Sequence, residues 1–394
     1  MKYSLLLFTC LFSFFVLAQK KQKVQKNYDS IDMKMDKMPV DFNQSMDSIV
    51  KYIKNNFQTE PDRIRAVFYW TAHTISYDVD NMFEVKFDET LNDRTVRAFN
   101  GQKGNCFDYA NIFNDLATAV GIKSMVVSGY TKSDKMRVDN LSHSWNAARI
   151  DNKWFLFDPT WGSGYVINGV FTRNLNNKYF KTDPEIMVVT HMPFDYLWQF
   201  RDFPITNQEF IEGVYNDDKT RKSFDFVAEI ARFEKLPKVD QLLEVSQRIE
   251  KGGMKNQFIS QAFLYAKTAW KNESQYVTGK KYSDIINQRN EASKQLSEYF
   301  KYRNNKFQPA LPDEEIRKKI QEPRDKLVQC QERLFEFEKN PGHVNKSNID
   351  ALKKDILDVL VRTDEQLQFV DLYLTKSDVV RKTMFINRYK KPSK

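Results

Sequence analysis

The chain of 394 residues is poor in cysteine, glycine, proline and histidine, with 3, 12, 12 and 4 of each. Each scarcity excludes something. Three cysteines rule out a disulfide-dense scaffold. Little glycine and proline, beside 41% hydrophobic and 14% aromatic residues, rule out a low-complexity or disordered chain. The histidines and cysteines show no metal-ligand spacing, so no metal and no cofactor are expected. The net charge of +9 is spread along the chain, and no nucleic-acid-binding motif accompanies it, so no nucleic-acid partner is expected. Beyond the N-terminus no apolar run approaches membrane length, so no stable membrane insertion is expected.

The N-terminus is what a leader looks like. Lys2 precedes an apolar run from Leu5 to Leu17, and Val16 and Ala18 are the small residues a signal peptidase accepts. Residues 1–18 read as a signal peptide cleaved near Ala18, which places the mature protein in the periplasm or outside the cell. Residues 19–42 read as a polar, Lys-rich leader, mobile up to about residue 40. Cleavage removes Cys10 and leaves Cys106 and Cys330. Cys330 lies on the helical stripe Leu327, Cys330, Leu334, Phe337 and reads as a small buried hydrophobe rather than a disulfide partner.

From about Asn43 the apolar residues take a helical period. Met46, Ile49, Val50 and Ile53 share one face. A second helix starts at Thr59 with Pro61 in its first turn, and carries Ile64, Val67, Phe68, Thr71, Ala72 and Ile75 on one stripe. Residues 100–170 differ: they hold seven of the 12 glycines and three of the six tryptophans, the composition of tight turns around a site. Helical stripes resume after Tyr215, separated by turn signals at Gly252-Gly253, Pro309 to Pro312 and Asn340-Pro341-Gly342. The expected organisation is a site-bearing domain over 43–215 and an all-helical domain over 216–394, to which the sequence assigns no chemistry.

Residues 104–121 (GNCFDYANIFNDLATAVG) open with a turn-permitting Gly104 and an N-cap at Asn105, and close at Gly121. Cys106 therefore sits in the first turn of a buried helix, where unpaired N–H groups and the helix dipole favour a thiolate. Further on, Leu141–Ile150 and Lys153–Asp158 flank Asp151-Asn152, a two-residue hairpin signal. A two-residue turn places His143 and Asp158 on the same face of adjacent strands as diagonal neighbours, roughly 7–8 Å apart at Cα. A thiol, an imidazole and a carboxylate in that arrangement are the parts of thiol nucleophilic catalysis. His73, His191 and His343 lack such a strand-pair context. The oxyanion donors expected are the Cys106 N–H and the Gln102 side chain. Trp145 and Trp161 either wall the cleft as substrate-binding residues or pack as core.

These motifs have a family look. Gly104-Asn105-Cys106 with Tyr109-Ala110, Ser142-His143-Ser144-Trp145-Asn146, and Trp154 to Gly162 (WFLFDPTWG) resemble the transglutaminase-like superfamily. So do Arg65 to Trp70 and Ile75-Ser76-Tyr77-Asp78 upstream. His191-Met192-Pro193, Trp198-Gln199 and Phe203-Pro204-Ile205 are similar to its kyphoscoliosis-peptidase-like branch. The resemblance covers about residues 45–215. It implies an α+β, papain/transglutaminase-like core, with the Cys helix packed on an antiparallel sheet; the all-α C-terminal domain read from the helical stripes follows it, outside the resemblance. It also implies Cys106 as nucleophile, His143 as base and Asp158 as orienting acid. The chemistry expected is acyl transfer through a Cys106 thioester, with water or an amine as acceptor. Exported members of the superfamily resemble hydrolases more often than cross-linkers, which leans the reading to a cysteine peptidase or amidase acting on a protein or a cell-wall peptide. The rival reading is a non-catalytic interaction module whose helical domain binds a protein partner.

Overall fold

A computed structural model describes residues 28–82, 89–133, 136–215 and 220–385. The signal segment expected over 1–18 lies outside them. The chain divides into two compact units, one of residues up to 233 together with 248–262, the other of 234–247 together with 263 onward.

The first unit begins with helix α1 (Asp29–Asp36), α2 (Met46–Asn56) and α3 (Glu60–Thr74). Ser45 and Thr59 cap α2 and α3, each accepting a backbone N–H three residues on. The stripe expected on α3 is too narrow: Arg65, Ala66, Tyr69 and Trp70 are buried as well. The reason lies in the segment read as a polar leader. Part of it, α1, docks on α3 by burying Met35 and by pairing Asp32 with the fully buried Arg65 at 2.7 Å. The leader is thus ordered structure from Asp29, because the Arg65 guanidinium needs a carboxylate once it is taken out of water.

Next come β1 (Ser76–Tyr77), α4 (Leu91–Gly101), β2 (Lys103–Gly104) and α5 (Cys106–Ala119). α5 ends where Gly121 takes φ +91°, a conformation other residues rarely adopt. The main sheet follows: β3 (Lys123–Lys132), β4 (Val138–Ile150) and β5 (Lys153–Phe157). A short helix α6 (Pro159–Ser163) and a separate hairpin, β6 (Gly164–Ile167) with β7 (Val170–Arg173), come next. After helix α7 (Pro184–Met187), β8 (His191–Pro193) completes an antiparallel sheet of order β5-β4-β3-β8. Asp151 and Asn152 both have positive φ, +49° and +64°, as a tight two-residue hairpin requires. The turn sets the register Ile150 opposite Lys153 and Asn146 opposite Phe157. The Asn146 amide, fully buried, donates to the Ala110 carbonyl at 2.8 Å and so ties β4 to α5. The expected arrangement is present: a Cys-bearing helix laid on an antiparallel sheet, with an all-helical region after it.

The unit boundary falls after Phe233, past the expected 215/216 division. Helices α8 (Asn207–Glu212) and α9 (Phe226–Phe233) stay with the first unit. Residues 248–262 also belong to it, because Arg248 makes a buried two-pronged pair with Asp195 at 2.7 and 2.8 Å, and Asn207 donates to the carbonyls of Gly252 and Gly253. Helix α10 (Lys238–Gly252) precedes three long helices, α11 (Gln257–Asn304), α12 (Asp313–Glu338) and α13 (Lys346–Leu374), and a short α14 (Asp378–Thr383). Their shared core includes Ile285, Leu296, Ile320, Leu327, Cys330 and Ile356. Cys330 is a free, buried thiol. Among the described residues no helix is long and apolar enough to cross a membrane.

Candidate active site

Cys106 is the first residue of α5. Asn105 caps it by accepting the Phe107 N–H at 3.1 Å, while Asp108 accepts the Asn105 N–H at 2.9 Å. Arg94 of α4 holds both caps, donating to Asp108 at 2.6 Å and to Asn105 at 3.0 Å. The helix start is therefore braced on two sides, and Cys106 as a residue is half-buried.

The register of β4 and β5 carries His143 to the sulfur. β5 stops at Phe157, so the stretch of β4 around His143 and Ser144 has no β5 partner. It meets Cys106 instead, through the His143 ring and the Ser144 N–H. On its other side His143 Nε2 lies 2.8 Å from Asp158 Oδ2. Asp158, wholly buried, caps α6: its Oδ1 accepts the N–H groups of Thr160 and Trp161 at 2.9 and 3.0 Å.

The charges follow from these contacts. Burial would raise the Cys106 thiol, but the His143 hydrogen bond and charge, aided by the Ser144 N–H, hold it below the ordinary thiol value. Burial would lower His143, but the Asp158 charge and hydrogen bond, with the sulfur, push it up to about 10. Burial would raise the Asp158 carboxyl, and the charge and N–H of His143 with the N–H of His191 hold it well below the usual carboxylate range. The three groups favour thiolate, imidazolium and carboxylate together, which is the resting charge state of an activated thiol.

A second imidazole completes the cluster. His191 of β8 lies with Nε2 3.1 Å from the same Asp158 Oδ2, and its Nδ1 is 2.8 Å from the Thr190 hydroxyl. The ionised Asp158 carboxylate can only accept, so Nε2 carries the His191 proton and donates to it, which leaves Nδ1 as an acceptor for the Thr190 hydroxyl. Burial holds His191 below the ordinary imidazole value despite Asp158, so it remains a neutral donor.

Comparison with known proteins places this arrangement. The family model described as the transglutaminase-like superfamily matches residues 47–159. Residues 47–159 form a transglutaminase-like domain. Human kyphoscoliosis peptidase is 30% identical over 178 residues, covering 43% of this chain and 26% of that protein. Drosophila melanogaster hillarin is 24% identical over 181 residues, covering 41% of this chain and 21% of that protein. The chain thus spans about a quarter of the length of the curated relatives it matches. A crystal structure of a TGase is also similar, at 17% identity, with a TM-score of 0.26 and coverage of 44% of this chain and 43% of that one.

The expected site residues fall differently from one another. Cys106, His143 and Asp158 come together. Gln102 does not join them: it is the exposed, left-handed C-cap of α4 at φ +45°, and makes no hydrogen bond to the group among the described residues. Trp145 is 1% exposed and does not wall the cleft; it packs edge-on to His191 at 5.1 Å and supports the histidines from within. Trp161 does line the cleft, with its ring 4.6 Å from His191 and 5.5 Å from His143. His191 was passed over in the sequence because it is 33 residues from Asp158 and reaches it only through the pairing of β8 with β3, where Thr131 faces His191. Its one signal was the His191-Met192-Pro193 motif. Spacing also hid that His143, Asp158 and His191 each bring a ligand atom within 4.8 Å of the others. Both ring nitrogens sit at hydrogen-bond distance from one oxygen, and proton sharing accounts for that geometry.

Proposed function

We propose that the protein is an exported cysteine hydrolase that cleaves an amide or peptide bond through a Cys106 thioester. The observation that carries this reading is the continuous Cys106–His143–Asp158 chain, with its thiol held low and its imidazole held high. The thiolate attacks the carbonyl carbon and the C=O electrons move onto oxygen. As the tetrahedral intermediate collapses, the C–N bond breaks and the amine leaves with the proton of the His143 imidazolium. Water then enters, His143 takes its proton, and hydroxide attack on the thioester releases the acid and the Cys106 thiolate. Asp158 keeps the Nε2–H tautomer facing itself, so Nδ1 serves the sulfur and the leaving group. A cleft of about 660 Å³, lined by His143, Trp161, Tyr77, Tyr165 and Tyr179, opens onto this centre and suits a polypeptide substrate. The peptidase named among the relatives favours water over an amine as acceptor. The apolar run before Ala18 supports export.

The test is a peptide-library cleavage profile of the mature protein against a Cys106→Ala control. Sequence-selective cleavage that vanishes in the control is the expected result. Equal, absent cleavage in both, with intact binding of a protein partner, would support the interaction module instead. N-terminal sequencing of the exported protein, expected to begin after Ala18, tests the leader.

A further inference from the structure

We infer that His191 is a positioning residue of the reaction proposed above, on which this inference rests: it fixes Asp158 so that His143 stays aimed at the sulfur and the leaving amine. The geometry behind this is a saturated carboxylate. Oδ1 of Asp158 accepts the N–H groups of Thr160 and Trp161, while Oδ2 accepts Nε2–H from His143 at 2.8 Å and from His191 at 3.1 Å. These donors fill the lone-pair positions of the carboxylate, so any rotation of the group loses a bond. His191 is in turn held by its strand. The Lys132 N–H donates to the Thr190 carbonyl at 2.9 Å and the Phe194 N–H to the Ser128 carbonyl at 3.0 Å, on either side of the pairing of His191 with Thr131. Its ring stands edge-on to Trp145 and Trp161, at 5.1 and 4.6 Å between centroids, and the Thr190 hydroxyl occupies Nδ1 at 2.8 Å. Turning the imidazole away from Asp158 would break all of these contacts.

An imidazole supplies here a donor without a charge. The charged groups acting on His191 are Asp158, the His143 imidazolium and, last among them, Asp139. Burial, helped by the His143 charge, holds His191 below its ordinary value against the pull of Asp158. A lysine or arginine in this place would set a second cation beside the imidazolium, whose ring centroid is 5.6 Å from that of His191. A neutral N–H steadies the carboxylate and leaves the imidazolium its full share of the charge. No bond to His191 forms or breaks in the reaction. The proton that the amine needs still comes from His143, and His191 acts only through Asp158 on where that proton is held.

The leaving group provides the test. An amine departs with the His143 proton, whereas p-nitrophenolate leaves without one. Hydrolysis of fluorescein-labelled casein and the acylation burst with p-nitrophenyl acetate are compared in three mature proteins. They are the wild type, His191→Phe, which keeps a ring and loses both nitrogens, and His191→Gln, which returns an N–H at similar reach. His191→Phe should lower kcat on casein about 10-fold, with KM and the ester burst unchanged, and His191→Gln should recover most of the loss. A His191→Phe enzyme with wild-type kcat on casein would overturn the assignment. So would a burst that falls as far as casein turnover, or a His191→Gln enzyme no better than His191→Phe. Nitrogen NMR of the imidazoles at neutral pH needs no substrate. It should find His191 neutral, with the proton on Nε2 and Nδ1 bare, and a charged ring or a proton on Nδ1 would also overturn the assignment. A wild type that gives the burst and this NMR state but cleaves no casein would overturn the peptide-bond reading, and with it the part of His191 in that reaction.

Discussion

The two units handle charge in opposite ways. Every buried Asp, Arg, Lys and His among the described residues belongs to the first unit: Arg65, Asp108, Lys132, His143, Asp158, His191, Asp195, Arg201 and Arg248. The helical unit is rich in Lys and Glu, yet its ion pairs keep contact with solvent. Arg317–Asp371 is about half exposed on both sides, and its buried side chains are mainly apolar, such as Ile320, Leu327 and Ile356. Burying a charge costs several kcal/mol unless partners replace water. A fold that collects such charges in one unit is holding them in place for a purpose, while the other unit follows the ordinary rule of apolar inside and charged outside. Chemistry is therefore sought where charge is buried, rather than where charge is abundant.

The largest effect expected from breaking this contrast is at Asp158. In Asp158→Asn the amide cannot accept from His143 and His191 with a full negative charge, and the imidazolium loses its main support. Single-turnover acylation should fall on the order of 10³-fold, and the pH at which Cys106 becomes alkylatable should rise. Unchanged acylation would separate the buried carboxylate from the chemistry. Arg65 tests burial without chemistry. Arg65→Leu strands Asp32 and removes the bond to Asn177, and should cost about 3 kcal/mol, near the low end for a broken buried pair because Asp32 keeps some contact with water. Native-state hydrogen exchange in α3 reads that loss, and Asp32→Asn in the same chain should recover part of it. The smallest effect belongs to the helical unit. Arg324→Ala removes a solvent-reached, part-exposed pair with Asp364 and should change exchange in α12 by less than about 1 kcal/mol. A loss there as large as at Arg65 would erase the distinction between the units.

What the sequence made legible was what local rules control. Asp151-Asn152 specifies a two-residue turn, the turn specifies the register, and the register puts His143 beside Asp158. Asn105 and Gly121 bracket the helix that presents Cys106. Other features depend on contacts between distant segments. The docking of α1 rests on Ile31 and Met35 against the core and on Asp32 and Asp36, which accept from Arg65 and Tyr69, too few apolar positions to form a stripe. His191 reaches Asp158 through a three-residue strand with no periodicity of its own. Trp145 and Trp161 are alike in sequence, and only the fold decides that one lies beneath the histidines and the other faces the cleft. Gly129 shows the same dependence: a Cβ there would come within 2.1 Å of the Met192 carbonyl and 2.6 Å of the Trp145 ring, a constraint that exists only once β8 has paired.

The measurement that tests the central claim most directly is the pH dependence of Cys106 alkylation by iodoacetamide, read at that residue by peptide mass spectrometry. His143 bears its proton up to about pH 10, and the thiol ionises below its ordinary value. The wild-type rate should therefore already be on a plateau at neutral pH, change again only near pH 10, and revert in His143→Ala to the single rise of an ordinary thiol. A wild-type profile that rises only near the ordinary thiol pKa, the same with and without the imidazole, would contradict the account.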